Sequence, residues 1–264
     1  MSRAVGQRHR VVTRFALLGL GEAGGRFARD LRARGAHVRG WDPLPETGPD
    51  ASGPVEAAEG ADVVMSQNSA ADALDAARSV LGVLRPGQVF ADLNTGSPEL
   101  KASLAQLVAP TGAVFADVAL MAPVPGHGIE TPALASGPGA ARFAELLAPV
   151  GMPVEVVGDA PGEAARRKLL RSIVWKGNAA VVLEATAAGE AAGKADHVRR
   201  EVLGIFAEAD EALLERMLRG SRTHATRRTH EMEAVGEMLR DLDVPSWMSD
   251  GAAAWLRALR DGRA

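Results

Sequence analysis

The hexapeptide Gly19-Leu20-Gly21-Glu22-Ala23-Gly24 follows directly on the apolar run Phe15-Ala16-Leu17-Leu18 and opens a helical pattern. A short buried strand that turns through glycines into a helix is the opening of a βαβ unit. Gly19 permits the tight turn, Gly21 lets the backbone approach a ligand with no Cβ in the way, and Gly24 lets the helix lie close to its strand. With 29 Gly in 264 residues, chance alone gives about 0.3 matches to this spacing per chain, so the flanks carry the inference. A helix from Glu22 to Arg34 buries Phe27 and Leu31, stops at Gly35, and leads to a strand His37-Val38-Arg39-Gly40-Trp41 that ends in Asp42. An acid about 20 residues past the glycines is placed to hold ribose hydroxyls. The hexapeptide and Asp42 are therefore expected to bind a dinucleotide, with N–H groups of the helix start facing its pyrophosphate. The alternative is an ordinary glycine-rich turn in which Asp42 caps the segment before Pro43.

Thirty basic residues against 33 acidic ones leave a formal charge of -3, too balanced for a chain whose main partner is a nucleic acid backbone. Small molecules are the expected partners. No cysteine is present, which removes disulfides, thiol nucleophiles and thiolate zinc sites. The six histidines show no metal-binding spacing, so no metal is expected. Residues 1–12 are expected to be a disordered basic tail, with Arg3, Arg8 and Arg10 and no apolar stretch of a secretory signal. No uncharged apolar segment approaches the roughly 20 residues that span a bilayer, and a soluble, cytoplasmic protein is expected.

Strand and helix signals alternate as far as Val157. Strand Ala61–Ser66 precedes an Ala-rich helix reaching Leu84. Strand Gln88–Leu93, helix Pro98–Val108, strands Ala113–Val118 and Thr131–Ser136, helix Pro138–Leu147 and strand Val154–Val157 follow. This order predicts an α/β fold with a doubly wound, Rossmann-type parallel sheet over residues 13–161. From Gly162 onward strand signals vanish. A long helix to about Ala192 and helical stretches near 195–219, 222–242 and 246–260 predict a smaller all-α domain, 162–264, for substrate and dimer contacts.

Four segments in this order resemble the β-hydroxyacid dehydrogenase family, which shares its architecture with 6-phosphogluconate dehydrogenase. They are Gly19–Gly24, Asp92-Leu93-Asn94-Thr95-Gly96-Ser97-Pro98, Asp117–Gly128 and Lys168. Lys168–Glu184 and Thr223–Met232 look more like the branch that carries a C-terminal domain of unknown function. The resemblance implies an NAD- or NADP-dependent oxidoreductase in which Lys168 gives or takes the proton of the substrate hydroxyl. A lysine serves best when its ammonium is partly destabilised. Arg171, Ser172, Trp175 and Lys176 share its helix side, and the like charges there disfavour its own. The bland reading leaves Lys168 and Lys176 as solvated cations. The resemblance also implies that Asn68 and Ser69 lie near the cofactor.

Two departures stand out. The family's Ser-Gly-Gly carboxylate clamp is Met121-Ala122-Pro123 here, and the two Asn expected after the lysine are Arg171 and Ser172. The loop Pro123–Gly128 is expected to replace part of the clamp, with Met121 and His127 meeting the substrate. His127 is otherwise a surface histidine. Asn94 and Thr95 follow a parallel strand, where ligands of such sheets bind, although capping of the helix at Pro98 would also use this segment. Ser172 and Lys176 are further substrate candidates. His224 and Arg228, four apart on a helix, match the unknown-function domain and form either an anion site or a cationic exposed face.

The expected function is hydride transfer between nicotinamide and a small anionic hydroxy or oxo compound. NAD is favoured over NADP because Asp42 repels a 2′-phosphate and Arg39 points elsewhere by strand alternation. A homodimer through the helical domain is expected. Two other readings remain: reduction of a C=N bond, as in imine reductases, and a nicotinamide-binding sensor or scaffold without turnover.

Overall fold

The computed structural model describes residues 12–264, so the expected basic tail lies outside the described residues except for Val12. Two compact units divide the chain, one ending at Arg171 and the other comprising Ser172–Ala264.

The first unit alternates β1 Arg14–Leu18, α1 Glu22–Ala33, β2 His37–Trp41, α2 Pro54–Ala58, β3 Val63–Ser66, α3 Ala73–Val80, β4 Val89–Asp92, α4 Pro98–Val108, β5 Val114–Leu120, β6 Ala133–Ser136, α5 Ala140–Leu147 and β7 Val154–Gly158. Its seven strands form one sheet in the order β2-β1-β3-β4-β5-β6-β7. The switch in strand order beside β1 is the mark of a Rossmann-like sheet. Side-chain alternation explains why helices cover both faces. Phe15 and Leu17 of β1 join Phe27, Leu31, Met65 and Phe143 in one core, while Ala16 and Leu18 join Val64, Phe90, Leu104 and Phe115 in another. Each fully buried Phe or Leu contributes about 1.5–3 kcal/mol.

The sheet is mostly, not wholly, parallel. β5 pairs with β6 antiparallel, Asp117 facing Ser136, and β7 runs parallel to β6. The connection between β5 and β6, residues 121–132, holds only a short 3-10 turn at Gly128–Glu130. A parallel return needs a crossover long enough to recross the sheet, usually a helix, and this loop supplies none.

Helix α6 is continuous over Glu163–Ala191, and the division between units falls within it. Beyond it lie α7 Ala195–Ala207, α8 Glu211–Thr223, α9 Ala225–Asp241 and α10 Trp247–Arg260. The single stretch expected over 195–219 is broken because Asp210 caps α8, its carboxylate accepting the Leu213 N–H at 2.7 Å. In this second unit α9 and α10 bury Ala225, Leu239, Ala253 and Leu256. The Glu184 carboxylate caps α10 by accepting from Met248 N–H (2.7 Å) and Ser249 N–H (2.9 Å). No helix among the described residues is long and apolar enough to cross a membrane.

Candidate functional site

The glycine turn connects β1 to α1. Gly19 has φ +102°, and a Cβ there would stand 2.2 Å from the Gln67 carbonyl oxygen; one on Gly24 would stand 2.0 Å from the Gly19 carbonyl oxygen. Those two glycines are demanded by the chain's own packing. Gly21 is not. It is exposed at the N-cap of α1, a Cβ on it would meet nothing within 4 Å, and no side chain caps this helix. An open cradle before a helix N-terminus, at a position where a side chain would touch no protein atom, fits a dinucleotide pyrophosphate. Leu20, Glu22 and Ala23 lie in the same turn, with Glu22 exposed.

Asp42 leaves the end of β2 half-buried and is tied to that turn. Its Oδ2 accepts the Leu20 N–H at 2.7 Å and its Oδ1 the Leu44 N–H at 2.9 Å. Each oxygen keeps a second lone pair for a hydroxyl. With Gly19, Asn68, Ser69, Asp72 and Asp75 it lines a cavity of about 400 Å³. Ser69 donates to Asp72 (2.6 Å), and Arg78 pairs with Asp75. Arg39 is engaged elsewhere, donating to the Glu56 carbonyl at 3.1 Å.

Asn94 and Thr95 follow β4 but differ in environment. Thr95 is exposed, whereas Asn94 is only 6% exposed. The Asn94 amide donates to Asn68 Oδ1 (2.8 Å) and Asp92 Oδ1 (2.6 Å), while its own Oδ1 is buried with no hydrogen-bond partner among the described residues. Ser97 caps α4 by accepting the Leu100 N–H (3.2 Å), so the capping alternative is realised at that residue.

Beneath this turn lies a charged group that the sequence reading missed. Lys101 of α4 is 1% exposed; its Nζ donates to Asp92 Oδ2 (2.6 Å), the Asp92 carbonyl (3.0 Å) and the Asn94 carbonyl (2.8 Å), and pairs with Asp117 Oδ1 at 3.2 Å. Burial pushes the Asp92 carboxyl above its ordinary value; Lys101 and Asn94 pull it back and Asp117 adds to the rise. A signal existed: Lys101 shares the buried stripe of α4 with Leu104 and Val108, and a lone lysine on an apolar helix face calls for a buried acid.

Lys168 is half-buried on α6, one turn beyond the buried Ala164 and Ala165. Arg171, a turn further, donates to the Met121 carbonyl at 2.9 Å, which joins α6 to the loop standing where the resembled family has its clamp. His127 of that loop is exposed, its Nδ1 3.0 Å from the Pro123 carbonyl oxygen. Asp30 of α1 steadies the same loop by accepting the Ile129 N–H (2.9 Å). The structure thus gathers Gly19, Asp42, Asn68 and Ser69 at one cavity, joins Asn94 to Asn68, and joins Met121 to Arg171.

The remaining candidates belong to the second unit. Ser172 is half-buried and Lys176 exposed on α6. His224 is not on a helix with Arg228 as expected. It is exposed at the break between α8 and α9, because α9 begins only at Ala225. Arg228 donates to Ser221 Oγ (2.8 Å).

Residues 190–259 match a domain family described as a domain of unknown function, DUF1932. A conserved hypothetical protein from Sinorhizobium meliloti 1021, of known structure, is 30% identical over 94% of this chain and 89% of its own, with a TM-score of 0.59. The chain belongs to that protein's family. A second structure, of a conserved protein of unknown function noted for its similarity with 3-hydroxyacid dehydrogenases, is 28% identical over 95% of this chain and 98% of its own (TM-score 0.60). The family is thus a Rossmann-fold one, related to DUF1932 and 3-hydroxyacid dehydrogenase-like proteins. An uncharacterised 28.5 kDa protein of Methanothermus fervidus is 29% identical over 175 residues, 65% of each chain, so the match spans just under two thirds of that curated relative. An imine reductase from Aspergillus terreus, in complex with NADPH4 and dibenz[c,e]azepine, shares the fold at 20% identity over 96% of this chain and 95% of its own, with a TM-score of 0.76.

Proposed function

We propose that this chain is a nicotinamide-dependent oxidoreductase acting on a small molecule. The observation that carries the reading is the uncapped N-terminus of α1 behind Gly21, with Asp42 tied to the same turn. When bound, the nicotinamide gives or takes a hydride. The turn holds the pyrophosphate, Asp42 accepts from the ribose, and Asn68, Ser69 and Asn94 flank the path beyond it. Lys168 Nζ holds or releases the proton at the substrate heteroatom.

Of the two substrate classes, C=N reduction has the better support. The fold extends over nearly the whole length of an imine reductase, and Met121-Ala122-Pro123 presents no hydroxyl with which to clamp a carboxylate. Oxidation of a small anionic hydroxy compound is supported by Lys168, the residue that the family resemblance equips for that proton. A screen of nicotinamide absorbance against cyclic imines, hydroxyacids and oxoacids tests both. Turnover of imines alone establishes the first reading, and turnover of neither class overturns the enzyme reading in favour of a sensor.

NAD is the proposed cofactor over NADP. A 2′-phosphate would face Asp42 and Asp72, while Asp75 is offset by Arg78. NADPH is expected to bind at least about tenfold more weakly than NADH, or ~1.4 kcal/mol; equal or tighter NADPH binding by calorimetry contradicts this.

We also propose a homodimer formed through the helical unit. α7 and α8 contain no buried residue, and Leu203, Phe206, Leu214 and Met217 are more than half exposed, an apolar surface that monomers rarely leave uncovered. Sedimentation is expected to give a dimer, and Leu203→Glu with Phe206→Glu a monomer. A monomeric wild type refutes it.

A further inference from the structure

Three fully buried charges meet where the end of β4 and the middle of β5 face the start of α6. Asp92 and Asp117 are 0% exposed and Lys101 is 1% exposed. Buried ion groups of this kind commonly stabilise a fold no better than apolar residues of the same volume. What the triad does contribute is geometry. On one side, the Lys101 ammonium grips the carbonyls of Asp92 and Asn94 and so fixes the turn that carries Asn94 and Thr95. On the other, Asp117 Oδ2 accepts the N–H groups of Gly162 (3.1 Å) and Ala165 (3.0 Å), and Ser136, which donates to that same oxygen, accepts the N–H of Ala164 (3.0 Å). The amides at the start of α6 are thereby held from within the sheet. A second contact reinforces the link: a Cβ on Gly162 would stand 2.8 Å from the Pro98 carbonyl oxygen, so the start of α6 is pressed against the start of α4, the helix that bears Lys101.

We propose that Lys101 is a positioning residue, which registers the Asp92–Thr95 turn against the first turn of α6 and so sets the distance from Asn94 to the Lys168 amine. This inference deepens the oxidoreductase reading and rests on it. Lys168 lies three residues beyond Ala165, a rise of about 4.5 Å along a rigid helix. A shift of the α6 start is carried to its amine almost undiminished, and displacements of about 1 Å at a reacting group cost on the order of 10²-fold in rate.

The test uses the full chain labelled with 13C at lysine Cε. Lysine occurs at positions 101, 168, 176 and 194, so each signal is assignable by substitution. Lys101→Met removes the grip, and Asp117→Asn keeps the Asp92–Lys101 pair, removes the charge that Asp117 sets against Lys101 and weakens its hold on the α6 amides. Should Lys101→Met fail to fold, Asp117→Asn carries the test alone. Either variant is expected to move the titration midpoint of Lys168 by about half a unit or more, with those of Lys176 and Lys194 unchanged. Asp117→Asn is further expected to shift the side-chain amide signal of Asn94. A merely structural role would lower Tm, move the Lys168 midpoint only as the deleted charge dictates, upward in Lys101→Met and downward in Asp117→Asn, and leave the Asn94 signal of Asp117→Asn where it was, which overturns the proposal. Wild type that fails to bind NADH would sink the oxidoreductase reading instead, and the Lys168 and Asn94 shifts, read without nucleotide, still decide the positioning role.

Discussion

Replacing Lys168 by Met is expected to lower turnover of a hydroxy or oxo substrate by about 10²–10⁴-fold, the usual worth of a positioned general acid or base. Met is close in length and apolar volume and lacks only the ionisable amine, so the α6 backbone and the Arg171 contact to the Met121 carbonyl should persist. NADH affinity should stay within about twofold, since the glycine turn lies on β1 and α1. The same variant separates the two substrate classes. An imine binds its proton more readily than a carbonyl and need not draw it from this lysine, so imine reduction that survives Lys168→Met, alongside absent hydroxyacid activity, would assign the chain to C=N reduction. Undiminished hydroxyacid turnover in this variant would remove Lys168 from the chemistry altogether.

The sheet was legible because alternation along β1 separates Phe15 and Leu17 from Ala16 and Leu18, and each set requires its own helix layer. Strand direction was not. A period of two is the same read either way, and only the lack of a crossover helix between Leu120 and Ala133 betrays that β6 runs against β5. Helical periodicity likewise passes smoothly through Ala209 and Asp210, where the chain breaks, because a capping aspartate and a surface aspartate look alike until the Leu213 amide is seen on it.

Site residues divide in the same manner. Gly19, Gly21, Gly24 and Asp42 belong to one local unit, which the glycine spacing together with the flanking strand and helix patterns makes readable from the chain. Lys101 meets Asp92 and Asp117 only after β4 and β5 have paired and α4 has docked; the chain alone marks it as a lysine on an apolar helix stripe but does not say which acids it meets. His224 shows the converse. Four-residue spacing implied a shared helix face with Arg228; His224 is instead the N-cap of α9, its carbonyl accepting the Arg228 N–H at 3.0 Å while its own backbone is not helical.

Gly21 and Gly24 should respond oppositely to enlargement, and the contrast examines the cofactor cradle without any knowledge of substrate. Gly21→Val places its side chain in open space, with an ordinary φ of −56° and a ψ of −163° just beyond the extended region. Its Tm should fall by no more than about 2–4 °C, the cost of Val for Gly at an N-cap, while the NADH dissociation constant rises by about 10²-fold or more, ~2.7 kcal/mol, since the branched side chain occupies the path of the pyrophosphate. Gly24→Ala instead drives a Cβ to 2.0 Å from the Gly19 carbonyl oxygen, and α1 must lift from β1. That strain is expected to cost about 1–3 kcal/mol, a Tm lower by roughly 5 °C, whether or not nucleotide is present. Thermal shift and calorimetry on the two variants read these effects separately. If Gly21→Val binds NADH as wild type does, the anion does not sit before α1, and the glycines serve only to let a strand turn closely into a helix.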